Sequence, residues 1–191
     1  MGLWYLCEVN RPRIIAFGLL AATALVGCGG GGGLFATVPP PVEFIGSLLP
    51  GLTEVPKAGM YTGTVSVARV EFVYTPATDT QAGEWNVVSS DEVEGASAAE
   101  AIVAADGSVQ LRKVGGARNL FVGTLQVVEK PTVYGSTTAD LVAFDGTKGT
   151  YPYLLQDTSP LRLDLMPRAN VRWLSKTRIA YDRYTFSLTQ Q

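Results

Sequence analysis

The C-terminal stretch from Leu161 onward carries Arg162, Arg168, Arg172, Lys176, Arg178 and Arg183, interleaved with Trp173, Tyr181, Tyr184 and Phe186. Guanidinium groups donate forked hydrogen bonds to carboxylates and phosphates, and aromatic faces stack on flat or cationic groups. Arg172, Trp173, Arg178, Tyr181, Arg183 and Tyr184 therefore make a candidate ligand face for an anionic sugar, a phosphate or a protein partner. A plainer role is open to the same residues. On strands, Trp173, Tyr181 and Phe186 would serve a core, with the arginines solvated or paired with acids of the Asp91–Glu100 stretch. Those acids belong to a run from Val70 to Leu111 that holds Glu71, Asp79, Glu84, Asp91, Glu92, Glu94, Glu100 and Asp106 and no Lys or Arg.

Catalytic signals are sparse. The chain has no histidine, which removes Ser–His and Cys–His nucleophilic machinery and the commonest transition-metal ligand. No Gly-Lys pair, Ser-x-x-Lys pair or Asp-rich calcium loop occurs, so no metal and no cofactor is expected. A carboxylate-pair hydrolase of envelope polymers stays open as an alternative, because acids distant in sequence can meet in space. Against it, Asp106, Asp145 and Asp157 stand where turns favour aspartate for local hydrogen bonding. With a formal net charge of −2, no overall positive field attracts nucleic acid.

The two cysteines, Cys7 and Cys28, both lie near the N-terminus, so no disulfide can staple the body. Arg11 and Arg13 precede an uncharged apolar run, Ile14 to Gly27, which is too short for a spanning helix and suits the core of a signal peptide. It ends in Leu25-Val26-Gly27-Cys28 followed by five glycines. This stretch resembles the lipobox of the bacterial lipoprotein class. The resemblance covers the leader alone and implies cleavage between Gly27 and Cys28, lipidation of the Cys28 sulfur and anchorage in the cell envelope. In that class an Asp after the cysteine tends to hold the protein at the inner membrane. Gly29 stands there instead, which points to the outer membrane. Met1 to Glu8 is a poor leader start, and initiation at Val9 would leave a compact Asn-Arg-Pro-Arg n-region and the same mature product.

The organisation expected from these signals is a signal peptide over 1–27, a lipidated Gly/Pro-rich tether over 28–58 and a β domain over 59–191. Gly29 to Gly33 is flexible, and Pro39-Pro40-Pro41 is a stiff spacer. Val42 to Leu52 is apolar but broken by Gly46, Pro50 and Gly51; it is expected to dock on the body as a short turn, the alternative being that it lies on the lipid surface.

From Met60 onward the pattern is strand and turn. Leu161-Arg162-Leu163-Asp164-Leu165 alternates, and Asp106-Gly107 sits between two β-rich runs as a hairpin turn. In Met60 to Thr75 the apolar set starts on odd positions (Tyr61, Val65, Val67) and ends on even ones (Val70, Phe72, Tyr74). A bulge near Ala68-Arg69 would keep both sets on one face. Tyr61-x-Gly63-Thr64 is echoed by Phe121-x-Gly123-Thr124, as a repeat or as two bends of the same kind. No long stretch has helical period.

The expected fold is all-β, a single small barrel or sandwich of about 8–10 mostly antiparallel strands. The expected function is that of a non-catalytic envelope lipoprotein. Its β domain would bind a partner protein, glycan or lipid, or serve as a structural subunit of an envelope assembly.

Overall fold

The computed structural model describes residues 51–132 and 135–191, and every regular element within them is a strand. Gly27, Cys28 and the tether up to residue 50 lie outside the described residues. In chain order the strands are β1 (Gly59–Thr75), β2 (Glu84–Val103), β3 (Ser108–Lys113), β4 (Phe121–Thr132), β5 (Gly135–Ala143), β6 (Lys148–Gln156), β7 (Arg162–Leu165), β8 (Arg168–Ser175) and β9 (Arg178–Gln190).

Neighbouring strands pair antiparallel in the order β1-β2-β3-β4-β5-β6-β7-β9, and β9 returns to β1. Eight strands therefore close into a barrel, which decides between the two architectures expected. The ninth, β8, pairs with β9 alone. It occupies the edge of β9 that β7 uses further along: β7 takes Phe186–Thr189, and β8 takes the stretch from Arg178 to Arg183.

The barrel interior is filled by side chains. Tyr61, Phe121, Tyr151, Tyr153 and Phe186 are fully buried, with Leu111, Leu125, Leu155, Leu163 and Leu165 beside them. Ala99, Ala101 and Ala139 fill the narrower gaps, the large-and-small alternation that lets a small barrel pack without a central chamber. The alternation in β7 holds for Leu163 and Leu165, while its expected wet face holds at exposed Arg162 and fails at Asp164. Asp164 is buried and accepts a hydrogen bond from Arg162 Nε at 3.1 Å.

The turn aspartates do local work. Asp106 Oδ1 accepts the Ser108 N–H at 2.9 Å, and Gly107 beside it has φ +81°, a conformation that favours glycine. Asp145 accepts the N–H groups of Thr147 and Asn170. Asp157 lies exposed in the β6–β7 connection.

Gly63 and Gly123 mark bends of the same kind. A Cβ on Gly63 would sit 2.1 Å from the Ser187 carbonyl oxygen, and one on Gly123 would sit 1.9 Å from that of Asp140. Each neighbouring strand thus crosses where a side chain would be, so the sheet can coil tightly. β1 and β4 are three places apart in a ring of eight, a spacing that does not divide the barrel into two equal halves.

The expected bulge in β1 is absent. The β1–β9 register runs unbroken from Tyr61↔Gln190 to Val73↔Arg178. Three register shifts do occur against β2, and the extra residues are on β2; Val88 and Val93 are two of them. With β1 regular, its odd-to-even switch is a true change of face. The barrel core on one side of the sheet gives way to a second, smaller core on the other.

Candidate binding face on the strand extension

Beyond the barrel rim, β2, β1, β9 and β8 continue as a four-stranded extension. Registers assign each residue to a face, because directly opposed antiparallel residues point the same way. The face continuous with the barrel interior carries Arg69, Glu71, Asp182, Ala180 and Arg172. The opposite face, continuous with the barrel's outer wall, carries Val70, Phe72 and Tyr74 on β1 and Ile179, Tyr181 and Arg183 on β9. It is flanked by Trp85 and Val87 on β2 and by Arg168 and Trp173 on β8.

On this outer face Val70, Phe72, Ile179 and Tyr181 form the second core, with Trp85 and Val171 packed against it. Phe72 stacks on Tyr181 at 5.7 Å between ring centroids. Trp85 bridges the others, 5.3 Å from Tyr74 and 5.8 Å from Trp173. The Arg168 guanidinium lies over the Tyr181 ring at 5.2 Å. Trp173, Leu174, Val87 and Val88 remain about half exposed at the far end, the part of the extension richest in open apolar surface.

The inner face is charged, and most of its charges are paired. Arg69 is bonded to Asp182, Arg178 to Glu71, and Lys113 to Glu94. The Lys113 ammonium holds the Glu94 carboxyl below the ordinary carboxylate value. Tyr184, at the top of the barrel core, has its hydroxyl pKa raised, chiefly by burial and then by Asp182.

The six-residue ligand face expected from the sequence is thus divided between two surfaces. Trp173, Tyr181 and Arg183 share the outer face. Arg172, Arg178 and Tyr184 fall on the inner one. Tyr181 and Tyr184 are buried, so their rings support the surface from beneath, and Arg178 is engaged by Glu71. The acidic run is also more ordered than a loop. It forms β2 and the end of β1, and its Glu71, Glu94 and Glu100 are paired with Arg178, Lys113 and Arg112. Residues missed at the sequence level are Arg168, Trp85, Phe72 and Tyr74. The signal that would have found the last two is the odd-to-even switch in β1, taken at face value.

A hollow of about 370 Å³ opens on the outer wall of the barrel between β5 and β6, lined by Asp140, Leu141, Val142, Lys148, Gly149 and Thr150. It holds one carboxylate, Asp140, which accepts hydrogen bonds from Gln126 and Thr150. That is half of the pair a glycosidase mechanism requires. Among the described residues no group of three or more acidic or thiol side chains is placed to hold a metal ion.

No family model, curated protein or solved structure matches the chain. The site has to speak for itself.

Proposed function

We propose that this chain is a lipid-anchored bacterial envelope protein that acts by binding, and that the outer face of its strand extension is the binding surface. The observation that carries the reading is the change of face along β1. The barrel satisfies its own core, yet the sequence extends four strands beyond the rim and turns their aromatics outward. Apolar and aromatic side chains left open in this way mark interaction surfaces more often than stability devices.

The attachment geometry supports the same reading. The described chain enters at the opposite end of the barrel, where the Leu52 N–H donates to the Leu155 carbonyl at 2.7 Å. Through Leu155↔Leu163↔Leu188↔Gly63 this contact lies level with Gly63 in β1. The Phe72 row is nine residues further along that strand, about 30 Å at strand rise. A lipid on Cys28 would hold the base toward the membrane and present the aromatic end away from it. A filled interior also favours an exposed surface over an enclosed chamber as the place of binding.

The anchor is tested by expressing the full-length chain in bacteria with an alkyne fatty acid, alongside Cys28→Ala. Label and membrane retention should both be lost in the variant. Label that survives the substitution would overturn the anchor.

A further inference from the structure

The second core is sealed at its centre and open at both ends. Registers place Val87, Phe72, Ile179 and Trp173 in one row across β2, β1, β9 and β8. Phe72 and Ile179 are buried, with Trp85 and Val171 packed against their cluster, while Val87 and Trp173 stay about half exposed. The two open ends stand three strand spacings apart, about 14 Å. One end is a small side chain and the other an indole. Like packed on like would leave a gap at the first and crowd the second.

Charge is graded across the face in the same sense. Two rows nearer the barrel the order is Glu92, Ala68, Arg183 and Arg168. Glu92, at the β2 end, is exposed and forms no ion pair among the described residues. Arg168 over the Tyr181 ring and Arg183 at the Ser90 hydroxyl are held by contacts of their own. They make the β8 end a fixed positive region, which attracts a carboxylate through its field without a bond to any one nitrogen.

A surface with a small, acidic end and a large, basic end is complementary to its own copy turned about a twofold axis that runs along the strands. That axis lays the β2 end of one sheet over the β8 end of the other. Trp173 then meets Val87, and Glu92 meets the arginine end, each twice. An axis across the strands would set β2 on β2 and point the two barrels in opposite directions. With the axis along the strands both barrel bases point the same way, so two chains anchored in one membrane can pair. The barrels do not obstruct, because each curves away behind the opposite side of its sheet. Resting on the proposed binding role, we infer that the outer face packs against a second copy of this chain, Trp173 of each copy covering Val87 of the other. The face spans roughly 400 Å² on each copy, below the roughly 800 Å² that a stable free dimer covers. Pairing is therefore weak in free solution and favoured where anchors concentrate the chain on one membrane.

The test co-expresses two differently tagged full-length chains in bacteria, one with Val87→Cys and one with Trp173→Cys, and oxidises the cells mildly with copper phenanthroline. Side chains that meet across packed sheets can form a disulfide. A mixed dimer of these chains also keeps one Trp173–Val87 contact. Two copies of either variant alone hold their new sulfurs about 14 Å apart, too far to bridge. The mixture should therefore give about fivefold or more disulfide-linked dimer than either variant alone, above the blank set by wild type with its Cys7 and Cys28. Glu92→Lys in both chains turns attraction to the arginine end into repulsion and should cut the mixed yield by about fivefold. The inference is overturned if the mixture gives no more dimer than either variant alone. It is also overturned if Glu92→Lys leaves the yield unchanged in a chain that melts as wild type does. If the mixture fails while Trp173→Ala still weakens attachment to envelope fragments, another molecule covers this face: the second copy is excluded and the binding role stands. If that attachment is unaffected as well, the binding role falls with it.

Discussion

Arg69 and Asp182 face each other directly across β1 and β9, joined by two hydrogen bonds, Nε to Oδ1 at 2.9 Å and Nη2 to Oδ2 at 3.3 Å. The pair stands one row beyond Val67 and Tyr184, the last barrel-core residues of β1 and β9 on this face, with buried Ala169 of β8 beside it. It is where the inner side of the sheet stops being apolar. The Asp182 side chain is 8% exposed and that of Arg69 is 43% exposed, so the arginine can return to water while the aspartate cannot. Asp182 also accepts a hydrogen bond from Asn170 Nδ2 at 2.8 Å. Arg69→Ala is therefore expected to cost about 1–3 kcal/mol by leaving a buried carboxylate short of a donor. Urea unfolding of wild type and variant checks it, and a cost within error of zero would remove the pair from the account.

The glycine bends make a sharper steric prediction. Gly63→Ala and Gly123→Ala force a methyl group against a backbone carbonyl, which cannot swing aside, and each should destabilise by about 1–3 kcal/mol or more. Gly95→Ala meets only the Glu92 carboxylate end at 3.2 Å and should be far milder. Thermal melts of the three variants rank them.

The extension should loosen before the barrel. Its core is four buried residues, against two dozen in the barrel, so Phe72→Ala removes a large share of it. Amide exchange in Val70–Thr75 and Arg178–Tyr181 should accelerate in this variant while Leu111, Leu125 and Leu163 keep their protection. Uniform acceleration everywhere would mean that the two cores open as one.

The pH response follows from the groups that are buried. Tyr61, Tyr151, Tyr153 and Tyr184 all have hydroxyl pKa values raised, first by burial. Their folded values exceed the unfolded value near 10, so the stability they contribute is complete below that pH and is lost as pH rises above it. At the acid end, burial raises the Asp145 value. The hydrogen bonds from Thr147 and Asn170 outweigh that and hold it below the ordinary carboxylate value. Its contribution is present above about pH 4 and falls as pH drops below that. Asp145→Asn should flatten the acid limb of a stability–pH curve and soften the alkaline limb slightly, because its charge is one of the smaller causes that hold the Tyr151 and Tyr184 hydroxyls up. With no histidine, no imidazole titrates in the plateau between the limbs.

Much of this architecture is legible in the sequence, for identifiable reasons. The Asp106-Gly107 turn and the alternation around Leu163 are local, and the barrel uses them as they stand. The binding face is harder to read because it depends on registers between strands far apart in sequence. Arg172 and Trp173 are adjacent in the chain and point to opposite surfaces, so a cluster drawn along the sequence mixes two faces. The parity change in β1 resembled a bulge because a single core was assumed. Two cores, one on each side of the same strand, explain it without an extra residue.

That same pair of neighbours gives the most direct test of the binding surface. Trp173→Ala alters the outer face and Arg172→Ala the inner one. Arg172 is exposed and Trp173 half exposed against Trp85, so Arg172→Ala should keep wild-type thermal stability and Trp173→Ala should lose little more than the ring contact, about 0.5–1.5 kcal/mol. Measured in the Cys28→Ala background, so that the lipid does not contribute, binding of the full-length chain to isolated envelope fragments should fall by about tenfold with Trp173→Ala, while Arg172→Ala should bind as the background does. Loss with Arg172→Ala and retention with Trp173→Ala would contradict the account and move the binding surface to the other side of the sheet.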